Sequence, residues 1–141
     1  MTEPESLPFV LAMLLCDVAI TEAGSNKKTL VGIFDKIMTR AVPATHAQFW
    51  LYAKLADLRG RHDIRIDLIH LETEKQIATM NAVANTASHE TTENFDFALP
   101  LPPITFPLEG SYEFQLFADN IFIGRAVVTV NIIVPSGGAQ V

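Results

Sequence analysis

Apolar and polar residues alternate with a period of two along Ile64-Arg65-Ile66-Asp67-Leu68 and again along Tyr112-Glu113-Phe114-Gln115-Leu116. Only an extended backbone sends successive side chains to opposite faces, so these segments are strands with one face on a core and the other toward water. A helix would scatter the same apolar residues around its circumference. Gly, Pro and Asn-rich turns recur between such segments, and helix patterns do not alternate with them. The pattern predicts an all-β chain, a two-sheet antiparallel β-sandwich of about eight strands.

The first strand is expected over 9–21. Its even positions, Val10 through Ile20, are all apolar, while its odd positions Phe9, Leu11, Met13 and Leu15 give way to Asp17 and Thr21. The first half is therefore to be covered on both sides. Gly24-Ser25-Asn26-Lys27 turns the chain into a second strand over 30–40, in which Gly32 marks a bulge or a close backbone approach. Strands over 48–58 and from His62 onward, linked by Arg59-Gly60, read as a hairpin. A further hairpin arm is expected over 72–85, although Thr73-Glu74-Lys75-Gln76 also matches a helix capping box. Residues 86–94 read as a mobile loop and 95–99 as a short strand, and the prolines of 100–107 call for a crossover between sheets or an edge. The last hairpin turns at Asp119-Asn120, with Tyr112, Phe114, Leu116 and Ala118 inward on one arm and Phe122, Ala126, Val128, Val130 and Ile132 inward on the other. One domain over 1–141 is expected, with an ordered core near 8–135 and flexible tails at 1–7 and 136–141.

Charge narrows the partners. The net charge of −6 with no clustered bases argues against nucleic acid. The apolar run after Pro8 lacks a basic flank and ends at Asp17, short of the ~20 residues that span a bilayer, so neither a signal peptide nor a membrane is expected. A cytoplasmic protein is the expectation, and the single Cys16, with Leu15 and Val18 as neighbours, reads as a buried, inert thiol. Charged residues make up only 18%, which leaves apolar surface for a partner.

Three stretches, 11–17, 28–37 and 106–114, together resemble a family of short uncharacterised bacterial proteins, a domain of unknown function. The resemblance covers most of the chain and implies a fold neighbourhood and a bacterial source, and no activity.

Motifs for chemistry are sparse. None of the serines sits in a nucleophile elbow, and His46, His62, His70 and His89 lack metal-ligand spacing, so no catalytic residue, metal or cofactor is expected. The histidines read as surface or hydrogen-bonded groups. Asp17 and Asp35 form a weak candidate acidic pair if the first two strands pair about Ser25-Asn26. Trp50 and Tyr52 occupy the strand face opposite Phe49 and Leu51, and with Phe9 and Leu11 they make the candidate interaction surface. The expected function is a non-enzymatic β-sandwich acting through a protein surface, on itself in a homo-oligomer or within a larger bacterial assembly. The alternative is a small-ligand or carbohydrate-binding sandwich that uses the same two aromatics as a stacking platform.

Overall fold

The computed structural model describes residues 7–86 and 93–134. Apart from Leu7, the tails expected to be flexible lie outside these residues, as does most of the loop expected over 86–94. Among the described residues there is no helix. The described residues form eleven strands rather than eight: β1 (Phe9–Thr21), β2 (Lys28–Phe34), β3 (Lys36–Thr39), β4 (Ala44–His46), β5 (Phe49–Leu58), β6 (Arg61–His70), β7 (Lys75–Asn85), β8 (Glu93–Leu101), β9 (Ile104–Phe106), β10 (Gly110–Ala118) and β11 (Ile121–Ile132).

Two sheets carry the fold, β2-β1-β5-β8 and β3-β11-β10-β6-β7, with a small β4-β9 pair beside them. Pairing is antiparallel throughout except between β3 and β11, which run parallel. Where the alternation is strict, the inward faces are the expected ones. Ile64, Ile66 and Leu68 from β6 meet Tyr112, Phe114, Leu116 and Ala118 from β10, and all are buried against Leu51, Ala53 and Leu55 of β5. The segment over 72–85 is a strand, paired with β6. The Tyr112 hydroxyl donates to the Leu108 carbonyl and accepts from the Leu108 amide at 3.1 Å, tying the entry of β10 to its own strand.

Three expectations need correction. β5 and β6 are not a hairpin: each lies in a different sheet, and the Arg59-Gly60 link crosses between them. Asp57 (φ 59°) and Gly60 (φ 71°) make the corner in left-handed conformations, and Gly60 exchanges hydrogen bonds with Thr86 at the end of β7, at 2.9 and 3.0 Å. The strand expected over 30–40 is two strands, since the chain leaves one sheet as β2, passes Asp35, and joins the other as β3. Phe122 faces outward, about half exposed, because a bulge between Leu116 and Phe117 shifts the register of the hairpin next to its turn. The turn itself is as expected, with Asp119 (φ 49°) and Asn120 (φ 68°) both left-handed. The proline segment does cross: β8 is an edge of one sheet, and β10 lies in the other.

Candidate interaction surface

A bulge between Val10 and Ala12 decides which side of β1 meets the core. Beyond it Met13 and Leu15 pair with Ala53 and Leu51 on the inner face, and Leu14 and Cys16 pair with Tyr52 and Trp50 on the outer face. From Ala12 onward the apolar even positions of β1 are thus on the outer face, whereas Val10, before the bulge, lies opposite Leu55 and packs on the core.

That outer face is partly covered by the chain's own β1–β2 arm. Lys28 pairs with Thr21 at the far end of the arm, whereas Asp96 lies in the row of Lys54 and Ala12, nine positions back along β1. A flat sheet would hold those rows ~30 Å apart at ~3.3 Å per residue. Yet the Lys28 ammonium lies 3.6 Å from the Asp96 carboxylate, which also accepts a 2.9 Å hydrogen bond from the Tyr52 hydroxyl. The arm must therefore fold back over the outer face and latch on β8. The bend falls at Asp17 and Gly32: Gly32 has φ 70°, and the Asp17 carboxylate occupies the space that a β-carbon there would need. At this bend Cys16 is fully buried although it belongs to the outer face. Burial, followed by the Asp17 charge, pushes its thiol up, which keeps the sulfur protonated and unreactive.

The arm buries one side and displays the other. Ala19 is buried and its cross-strand partner Leu30 half-buried, while Val18, Ile20, Val31 and Ile33 are 44%, 51%, 48% and 58% exposed. Val18 lies directly opposite Val31, so these four residues form one apolar outward face on a two-stranded arm.

Of the four residues expected to form the interaction surface, Trp50 and Tyr52 share the outer face and are half-buried. Burial, then the bond to Asp96 and its charge, pushes the Tyr52 phenol up to about 12. Phe9 and Leu11 stand at the start of β1 at 49% exposure each, away from the arm. β1 and β2 do pair, but the register sets Asp17 between the pairs Cys16–Ile33 and Val18–Val31, opposite Gly32, and leaves Asp35 between β2 and β3, on neither strand. Sequence reasoning saw the apolar even face of β1 but not that the arm turns it outward, because the bend depends on which strand Lys28 reaches.

The outer side of the other sheet ties its charges into internal bonds, although Phe122, Val127 and Val83 stand exposed among them. On the outer side of β10, the buried Glu113 accepts from Arg125 at 3.0 Å and Gln115 at 2.9 Å. The buried Asp67 accepts from Arg65 at 3.2 Å and Thr79 at 2.7 Å, and the Arg65 guanidinium stacks 4.2 Å from the Phe117 ring and donates to Asn120 at 2.7 Å. A shallow pocket of about 410 Å³ lies beside Arg65, Asn81, Val83 and Asn120. Of the described histidines, two are buried and fully bonded. His62 reaches Asp119 (2.6 Å) and the Arg59 carbonyl (3.0 Å), and His70 reaches Thr73 (2.8 Å) and the Glu109 carbonyl (3.0 Å). His46 stacks on Phe34 with ring centroids 5.4 Å apart. Among the described residues no three His, Cys, Asp or Glu side chains gather as a metal site would require, and no helix is long and apolar enough to cross a membrane.

Two solved structures share part of this backbone course. An alkylpurine DNA glycosylase of Pseudomonas fluorescens, bound to DNA containing an abasic site analogue, is similar at 7% identity and a TM-score of 0.46 over 92% of this chain. This chain spans only 31% of that glycosylase chain. An immunoglobulin-like protein of Pseudomonas aeruginosa is similar at 8% identity and a TM-score of 0.41, over 92% of this chain and the whole of that one. No curated protein matches the chain. The profile of a family of unknown function matches residues 11–131, from the first strand to the last, and the chain belongs to that family, DUF6941.

Proposed function

We propose that this chain is a non-enzymatic β-sandwich that acts through a protein interaction surface, and that the surface is the outward side of the β1–β2 arm. The observation that carries the reading is the cross-strand set of Val18, Ile20, Val31 and Ile33, each 44–58% exposed. Scattered exposed hydrophobes need no explanation, but four on one face of one ribbon, held by an ion pair at its tip, form a contiguous apolar platform. Its occupant is a protein subunit, in a homo-oligomer or a larger assembly. The buried His62, His70, Asp67 and Glu113 support a non-catalytic role, because each spends its polar atoms on partners within the fold. The small-ligand alternative loses ground because the Tyr52 hydroxyl is committed to Asp96 and the arm lies over that face.

The double substitution Val18→Glu with Val31→Glu tests this. The two carboxylates stand on solvent-facing positions, so circular dichroism should remain that of a sheet protein, while the mass by light scattering should fall. Capture of a small saccharide that survives this double substitution and fails in Tyr52→Ala would favour the ligand module instead.

A further inference from the structure

The two sheets have four edge strands, β2 and β8 on one, β3 and β7 on the other. An edge strand carries a row of unpaired amides and carbonyls that another strand can complete, and proteins block it with charge, proline, distortion or brevity. Three edges here are blocked. β2 carries Lys28 and the left-handed Gly32, β8 carries Asp96 and Pro100, and β3 has only four residues and begins with Lys36. Among the described residues the fourth, β7, is open past its first turn: it begins with Lys75 and a bulge, but from Ala78 to Asn85 it follows β6 position for position, with no charged residue and no proline.

We propose that β7 pairs antiparallel with β7 of a second copy, about a two-fold axis through Asn81, so that the two five-stranded sheets become one continuous sheet. The occupant follows from the self-complementarity of the strand. Pairing about Asn81 sets Ala78 against Ala84 and Met80 against Ala82 on the side that Ile64, Ile66 and Leu68 share, and Thr79 against Val83 on the solvent side. Asn81 then faces its own copy, and a carboxamide both donates and accepts. The core-side residues are mostly alanine, which lets a second sandwich approach to the ~4.8 Å of a sheet ladder. The chain's charge of −6 opposes self-approach in general, but none of it lies on this run. The edge belongs to the opposite sheet from the arm, so this pairing stands apart from the function proposed above.

Asn81→Cys gives a direct test. Residues facing each other across an antiparallel ladder hold their α-carbons ~4.5–5.5 Å apart, within the range a disulfide spans. The native Cys16 is buried and does not compete. Under mild oxidation most of the Asn81→Cys protein should run as a covalent dimer on a non-reducing gel. Thr79→Cys, whose copies would sit ~13 Å apart in this register, should give only a minor band. Asn81→Lys, which opposes two ammonium groups on the axis, should halve the mass in solution and leave the sheet spectrum unchanged. Equal cross-linking of the two cysteine variants, or an unchanged mass for Asn81→Lys, overturns the proposal. Val18→Glu with Val31→Glu should leave the Asn81→Cys cross-link intact, so failure at the edge and failure at the arm are read separately.

Discussion

Asp119 shows how one side chain can join two distant turns. Its carboxylate accepts from the Asp63 amide at 2.9 Å and meets His62 at 2.6 Å, which ties the β10–β11 turn to the start of β6. The other His62 nitrogen lies 3.0 Å from the Arg59 carbonyl, so the ring bridges the Arg59-Gly60 corner and the β10–β11 turn. Burial works against the charged carboxylate, but the Asp63 amide, His62 and Arg61 together outweigh it and hold Asp119 below its ordinary 3.8. A carboxylate held low in the folded state adds stability above its unfolded value and loses it as pH falls through the folded one. Asp119→Asn should therefore cost about 1 kcal/mol at neutral pH, at the low end for bonds to charged groups because the carboxylate is partly in water. In urea melts across the acid range, that gap should close below about pH 3.8 and not above it. Tyr52 titrates at the other extreme. Its phenol, raised to about 12, stays neutral where an unfolded tyrosine ionises, so it contributes stability below pH 10 that is lost on the way to 12. Asp96→Ala should bring the Tyr52 transition down toward 10, as followed by phenolate absorbance. Tyr112, also raised by burial, should stay where it is.

At the level of elements, the bend of the β1–β2 arm rests on Gly32. Gly32→Ala would carry a left-handed conformation costing roughly 1–2 kcal/mol and drive the new methyl into the Asp17 carboxylate. Unfolding stability should drop by about 2 kcal/mol, and the emission of Trp50, the only tryptophan, should shift to the red as the arm lifts. Lys28→Ala should produce the same red shift with a smaller loss of about 1 kcal/mol, since it removes one partly buried ion pair and adds no backbone strain. The close approach at Gly32 was legible in the sequence, as were the inward faces of β6 and β10, because strict alternation leaves no choice of face. The pairing of β5 was not. Arg59-Gly60 looks the same whether it closes a hairpin or turns a corner between sheets, and the corner is held by Thr86, far along the chain, which bonds to Gly60. Phe122 was misplaced for a similar reason, since a bulge is a property of two strands and shows in neither one alone. The apolar even face of β1 could be read, but its outward display could not, because the latch that fixes it joins Lys28 to Asp96.

Across the whole molecule the two outer faces differ in kind. The β10–β6 face satisfies its charges internally through Arg65, Asp67, Glu113 and Arg125, and its exposed Phe122, Val127 and Val83 stand among these polar groups. The face under the arm commits its polar groups to holding the arm in place and leaves four aliphatic side chains outside. The contiguity of those four on one two-stranded ribbon is the basis for assigning association to the arm, with the β7 edge proposed as a second and separate contact. The most direct measurement is the solution mass by light scattering at micromolar concentration, wild type beside Val18→Glu with Val31→Glu. The wild type should exceed the 15.5 kDa of the chain by at least a factor of two, and the double variant should fall by a further factor of two or more relative to it, with its sheet spectrum preserved. Equal masses for the two proteins, or a wild type that stays at 15.5 kDa at every concentration, would contradict the account.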